Sequence, residues 1–269
     1  MLYALRYPFS FGVLIATFVA GVTIRGFVQQ LVSGERRPKW VRANTKRRRS
    51  TWLKPYFDVY GAIAALLGGI GWGAPVDTSD PRHRSKGRRV AQLLLGPIVL
   101  AGLGTGLLLA FRAWTHLDGL NYGPHAGADA QYVRAQASLY AVTTGQSFTG
   151  SVHAVSGGQV FIAGSATGHL RSHFQYGPPF GQVALLLAGV ELLAMGVLAI
   201  LPIPPLDGGR LLFALAPRSG GWQRVRFRLD EENWGLLILL FCSFPVIFRR
   251  VLLISILGTI VNPLVRLIA

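Results

Sequence analysis

The sequence predicts an all-α polytopic membrane protein with about five to six membrane segments, one of them re-entrant, and a long extracytoplasmic loop. Of its 269 residues, 51% are hydrophobic and only 14% are charged, whereas a soluble chain carries roughly 25% charged residues. The apolar residues also form runs long enough to cross a bilayer, which takes about 20 residues. The 33 glycines and 15 prolines are costly in soluble helices but are tolerated where helices pack together in a membrane.

The positive charge of the chain has a simple explanation in a membrane protein. A formal net charge of +16 would indicate nucleic-acid binding in a soluble domain. Here the basic residues lie in segments that flank the apolar runs, which is the pattern of the positive-inside rule. We therefore expect no nucleic-acid partner, and we expect the lipid bilayer to be the first partner of the chain. Cys242 is the only cysteine, so a disulfide within the chain and a cysteine-ligated metal cluster are excluded.

The apolar runs divide the chain into three parts. The N-terminal membrane core, 1–114, has apolar segments at about 10–32, 57–74 and 90–114. An extracytoplasmic loop or small subdomain with short strands is expected at 115–180. The C-terminal membrane core, 181–269, has segments at about 181–203, 234–248 and 251–268. The first run is too long for the apolar region of a signal peptide and has no small-residue cleavage pattern, so we expect a retained helix.

The basic segments predict the orientation. Segments 34–54, 75–89 and 210–228 are rich in Lys and Arg, whereas 115–180 contains only Arg134 and Arg171. The three basic segments are therefore expected on the cytoplasmic side, and the compact motifs together with the Arg- and Ala-rich composition favour a bacterial cytoplasmic membrane. If the first two basic segments are both cytoplasmic, the run between them cannot cross once. It is either a re-entrant hairpin, which its glycines and short length favour, or a sign that one basic loop violates the rule.

The most informative stretch is Leu-Pro-Ile-Pro-Pro-Leu-Asp-Gly-Gly-Arg at 201–210. It closes an apolar run and places Asp207 at or just inside the membrane boundary. A carboxylate there is costly unless it is paired, so Asp207 is a candidate functional residue. The alternative is a solvated aspartate that caps the next helix at Gly208. Gly208 and Gly209 would permit close approach to a neighbouring segment.

The stretch 202–209 resembles the aspartate motif of the site-2 protease family of intramembrane zinc metalloproteases. Weaker matches follow the family's order: Phe-Asp-Val-Tyr-Gly at 57–61 resembles Asp-Pro-Phe-Gly, Gly-Trp-Gly-Ala-Pro-Val at 71–76 resembles Trp-Ala-Lys-Pro-Val, and Leu-Gly-Pro at 95–97 resembles Ala-Gly-Pro. The resemblance covers most of the chain apart from 115–180. It implies a site-2 protease-like helical core in which Asp207 has the place of the third zinc ligand. It also places Gly96 and Pro97 beside the site, although Leu100 stands where the family has an Asn.

The catalytic motif of that family is absent. His-Glu-x-x-His on the first helix would supply two zinc ligands and the base that activates water. Aligned by the end of the first span, it corresponds to Arg-Gly-Phe-Val-Gln at 25–29. Arg25 has no lone pair for a metal, Gly26 supplies no base, and Gln29 offers only a neutral amide oxygen. Since Asp207 alone cannot hold zinc, we expect no bound metal, no cofactor and no catalytic residue.

Three charged residues in or beside the apolar runs need partners: Arg25, Asp207 and Glu191. Arg25 and Asp207 would be neighbours in the family fold, so we predict an ion pair in which the guanidinium binds the carboxylate through two hydrogen bonds. Alternatively, Arg25 reaches the cytoplasmic interface and Asp207 meets water. Glu191 lies within the run 181–203, which has no other charged residue. It could be a protonated core residue, a partner of Arg112 or Arg25, or part of a polar cavity.

These residues leave four functions open. The first is a catalytically inactive member of the site-2 protease-like family, acting as a scaffold, adaptor or accessory subunit that binds other integral membrane proteins. The second is an active intramembrane zinc metalloprotease with non-standard ligands, against which the loss at Arg25, Gly26 and Gln29 argues. The third is a purely structural subunit of a larger membrane complex. A transporter or channel is the fourth, and the sequence shows no internal repeat that would favour it.

Overall fold

The computed structural model of the chain describes residues 8–33, 56–74, 86–122, 152–154, 160–162, 180–217, 219–243 and 252–268. The predicted basic segment 34–54 and almost all of the predicted outer loop, 115–180, lie outside these ranges. The described part is nearly all helical. This confirms the helical character that the apolar runs predict.

In the described part of the chain, three helices are long and apolar enough to cross a bilayer. They are α1, Pro8–Ser33, α3, Lys86–Tyr122, and α4, Phe180–Ile200. The label α2 belongs to a short helix that lies between α1 and α3 in the chain. The positions of the three long helices agree with the predicted segments 10–32, 90–114 and 181–203. Helix α3 extends beyond the predicted segment at both ends, so the predicted outer loop at 115–180 begins inside this helix. Helix α4 stops at Ile200 because prolines follow directly at 202, 204 and 205.

The second apolar segment forms a short helix followed by an extended chain. Asp58 is the N-cap of helix α2, Val59–Gly68, and its carboxylate accepts hydrogen bonds from the backbone N–H groups of Tyr60 and Gly61. The helix ends at Gly69, whose φ of 89° favours glycine. Ten residues of helix measure about 15 Å, about half of the hydrocarbon core.

The segment 56–74 closes on itself. The N–H of Ala74 donates to the carbonyl of Tyr56 at 2.8 Å, and the indole N–H of Trp72 donates to Asp58 at 2.7 Å. The end of the segment therefore returns to the level at which it began. This geometry agrees with the hairpin expected for 57–74, whose re-entry into a membrane stays a prediction.

The remaining elements are short. Strands β1, Val152–Ala154, and β2, Val160–Ile162, pair antiparallel. After α4 come α5, Asp207–Leu215, and α6, Gly220–Arg226, followed by a π-helical turn, Phe227–Glu231. The chain then forms α7, Trp234–Ser243, and α8, Leu252–Ile268. The basic stretch 210–228 is thus largely helical in its described part, and the part of the predicted segment 234–248 beyond Ser243 lies outside the described residues.

Helix α4 is the centre of the described bundle. It is the most deeply buried of the three long helices, and it packs against α1, α3 and α8. Glycines bring α3 and α4 into backbone contact: a Cβ at Gly104 would lie 2.5 Å from the backbone nitrogen of Leu193, and one at Gly196 would lie 2.8 Å from that of Ala101. This close approach matches the use of small residues at membrane helix interfaces.

Candidate functional site

Three polar side chains meet at the end of α1. Arg25 and Gln29 are four residues apart, so they lie on one face of that helix. Asp207 comes from the first turn of α5, directly after the proline cluster. All three are buried, with exposed fractions of 4% for Arg25, 0% for Gln29 and 1% for Asp207. The structure therefore brings together Arg25 and Gln29, which the resemblance aligns with the two lost His ligands, and Asp207, which it aligns with the remaining ligand.

The Asp207 carboxylate is bound through both oxygens. Its Oδ1 accepts from Arg25 Nη2 at 2.6 Å, and its Oδ2 accepts from Arg25 Nε at 2.8 Å. The Oδ2 atom also accepts from Gln29 Nε2 at 2.8 Å. Two parallel hydrogen bonds from one guanidinium are the strong form of this pairing. The predicted Arg25–Asp207 ion pair is confirmed, and the alternative in which Arg25 reaches the interface is wrong.

Asp207 is not a helix cap. The residue that caps α5 is Leu206, which offers no side-chain hydrogen bond, and the Asp207 side chain points to α1 instead. A Cβ at Gly208 would overlap the backbone of Ile200, and one at Gly209 would overlap the backbone of Ile203 and Pro204. These glycines therefore let α5 start directly against the end of α4. Because Asp207 is buried and binds Arg25 and Gln29, the alternative of a solvated aspartate that caps the helix is wrong.

Neighbouring residues close the space around the ion pair. A Cβ at Gly96 of α3 would lie 2.9 Å from both Arg25 Cγ and Gln29 Nε2, so this glycine packs against the cluster. Arg25 Nη1 also donates to the carbonyl of Ala74 at 3.4 Å. Beside Arg25 lies a cavity of about 10 Å³, whose lining includes Trp72 and Leu100. That volume corresponds to about one water molecule, so a peptide chain does not fit there.

The position of Gly26 is filled from outside α1. A Cβ on Gly26 would overlap the ring of Tyr56, and the Tyr56 hydroxyl donates to Gln30 Oε1. The Tyr56 ring thus occupies the space that a side chain at position 26 would need, which is the position that the resemblance aligns with a catalytic glutamate. Tyr56 is a site residue that sequence reasoning missed. The one available signal was its position directly before the motif at 57–61.

The cluster does not fit a zinc ion. Both Asp207 oxygens already accept hydrogen bonds from Arg25, whose permanent charge would repel a cation. Gln29 turns its N–H toward the carboxylate, and its buried Oε1 has no hydrogen-bond partner within the described ranges. Among the residues that the structure describes, no three His, Cys, Asp or Glu side chains are placed to hold a metal ion. No step of a zinc-dependent reaction can be derived from this arrangement.

Glu191 and Pro97 lie apart from the cluster. Glu191 is fully buried in α4, and neither of its carboxyl oxygens hydrogen-bonds to any residue that the structure describes. It therefore pairs with neither Arg25, which binds Asp207, nor Arg112, which donates to the carbonyl of Ile268 at 3.4 Å. The Pro97 carbonyl packs against Gly196 of α4. Of the alternatives for Glu191, a pairing with Arg25 or Arg112 is wrong, and the protonated core residue and the polar cavity stay predictions.

Replacing Glu191 with leucine is expected to stabilise the protein. A buried polar group without a partner costs about 1–3 kcal/mol, which an apolar side chain of similar size removes. Unfolding in mixed micelles measures the change. Gln182→Leu is the matched control, because Gln182 is buried on the same helix but has a bonding partner, so its loss is expected to destabilise. A lower stability of Glu191→Leu would show that Glu191 has a partner in the folded protein.

No family model, curated protein or solved structure matches the chain.

Proposed function

We propose that this chain is a catalytically inactive, site-2 protease-like integral membrane protein that binds other membrane proteins as a scaffold, adaptor or accessory subunit. The observation that carries this proposal is that both oxygens of the buried Asp207 carboxylate accept hydrogen bonds from α1. These oxygens accept two hydrogen bonds from Arg25 and one from Gln29, at the position where the resemblance places a zinc ligand. A carboxylate whose two oxygens both bind an arginine forms a structural contact between α1 and α5, and the guanidinium charge beside it opposes the binding of a metal cation.

The surroundings of the cluster support a binding role. Phe27 and Leu31, on the face of α1 that turns away from the cluster, are 54% and 64% exposed. Exposed apolar side chains on a membrane helix contact either lipid or the helix of another protein. A partner with a single membrane span would pack along this face. We place the protein in a bacterial cytoplasmic membrane, with segments 34–54, 75–89 and 210–228 on the cytoplasmic side.

Metal analysis tests the inactive character. Protein purified without chelator is expected to carry far less than one zinc per chain, and Asp207→Asn is expected to leave that value unchanged. One zinc per chain in the wild type, lost in Asp207→Asn, would instead establish the active protease with non-standard ligands. The measurement is metal content per chain by plasma mass spectrometry.

Photocrosslinking tests the adaptor role. A photoreactive residue at Phe27 is expected to capture a membrane protein with a single span in intact cells. The same residue at Leu267, which is 74% exposed on α8, is the control. If Phe27 captures only lipid while positions on α8 capture protein, the chain is a structural subunit of a larger complex and not an adaptor.

A further inference from the structure

Helix α6 and the π-helical turn after it carry arginines that alternate with apolar residues. Arg224, Arg226 and Arg228 are all exposed. Between them, Val225 is 44% and Phe227 is 50% exposed. About half of each apolar side chain is therefore left uncovered by the described part of the bundle. Successive residues of a helix are about 100° apart, so Arg224, Arg226 and Arg228 flank Phe227 on both sides, whereas Val225 lies on the opposite side of the helix.

The segment lies beside the end of a membrane helix. It is connected to α4, one of the three candidate spans, through α5, whose first turn packs against the end of α4. The rings of Phe213 and Trp222 meet edge to face with centroids 6.4 Å apart, which joins α5 to α6. Trp234, at the start of α7, is 54% exposed. Tryptophan is enriched at the level of lipid headgroups, so these residues place the segment at the membrane surface.

We propose that the segment 224–228 binds the headgroup phosphates of anionic phospholipids through Arg224, Arg226 and Arg228, with Phe227 between them inserted at the boundary of the acyl chains. Guanidinium groups bind phosphate oxygens through paired hydrogen bonds. Arginine also keeps its charged end in the headgroup layer while its methylenes cover apolar surface. Each basic residue near an anionic membrane strengthens binding by about fivefold.

The neighbouring charges limit the site. Asp230, Glu231 and Glu232 follow within the next turn, and their carboxylates repel phosphate. The anion-binding part is therefore confined to 224–228. An acidic protein segment or a nucleic acid would pair with the arginines but would leave Phe227 in water, which favours a lipid surface.

Site-specific quenching of a fluorophore tests the proposal on the full chain. In a Cys242→Ser background, Gln223→Cys provides one exposed thiol next to the arginines for a bimane label. The labelled protein is placed in nanodiscs with equal amounts of phosphatidylglycerol and phosphatidylcholine. Only one lipid is brominated at a time, so the total composition stays constant. Brominated phosphatidylglycerol is expected to quench at least about twofold more strongly than brominated phosphatidylcholine.

Matched charge removal identifies the groups responsible. Arg224→Gln/Arg226→Gln is expected to bring the quenching ratio close to one. The control Arg112→Gln/Arg266→Gln also removes two exposed arginines, on α3 and α8, and is expected to keep the wild-type ratio. High salt is expected to lower the ratio, because it screens exposed charges. A wild-type ratio of one, or a ratio that survives in Arg224→Gln/Arg226→Gln, would overturn the proposal.

Discussion

Replacing Arg25 with methionine is expected to lower the free energy of unfolding by about 3–5 kcal/mol, because it leaves the buried Asp207 carboxylate without its cation. Methionine retains most of the apolar length that packs against Gly96, so the lost charge dominates the effect. Gln29 still donates one hydrogen bond to Oδ2, which does not compensate a full charge. Unfolding of the purified protein in mixed detergent micelles measures the change.

A double-mutant cycle separates the ion pair from packing. Arg25→Met/Asp207→Asn removes both charges, and the amide of asparagine can still accept from Gln29. The double variant is expected to be more stable than Arg25→Met alone, with a coupling energy of about 2 kcal/mol or more. A coupling energy near zero would mean that Asp207 obtains its compensation from another source, such as water.

Histidines at positions 25 and 29 are expected to create a zinc site. Both native side chains reach the same carboxylate from one face of α1, so two imidazoles at these positions would converge with Asp207. Three protein ligands leave one coordination position for water, which is a common zinc geometry. Arg25→His/Gln29→His is expected to bind about one zinc per chain, measured by metal analysis and by the rise in the temperature of unfolding on zinc addition.

The control for this design is Arg25→His/Gln29→His/Asp207→Asn, which is expected to lose the zinc. Peptide hydrolysis is not expected in either variant, because Gly26 supplies no base and the Tyr56 ring fills the space beside it. If the double-histidine variant folds but binds no zinc, the orientation of α1 toward α5 differs from the one described here.

The polar cluster could be predicted from sequence because its members are chemically unusual where they occur. Arg25 and Asp207 are charges at the ends of apolar runs, and the motif resemblance predicts that they lie together. Tyr56 could not be predicted in the same way. Its contact with Gly26 joins residues from separate segments, and neither residue carries a charge or a pattern that requires the other.

The helix boundaries show a second limit of sequence reasoning. Hydropathy falls after Trp114, yet α3 continues to Tyr122, because backbone hydrogen bonding does not end where apolar composition ends. The Gly-Pro pair at 123–124 was the better signal for the end of this helix. Glu191 illustrates the reverse case. The sequence identified it as unusual, but only packing shows that neither proposed arginine reaches it.

The glycine contacts between α3 and α4 differ in kind from the contact between α1 and α4. With the backbones of Gly104 and Leu193 in close contact, α3 and α4 cannot repack without separating their backbones. Helix α1 meets α4 through side chains, since Gly21 faces the flexible side chains of Leu192 and Met195. A small shift of α1 against α4 at this point would therefore require only rotamer changes.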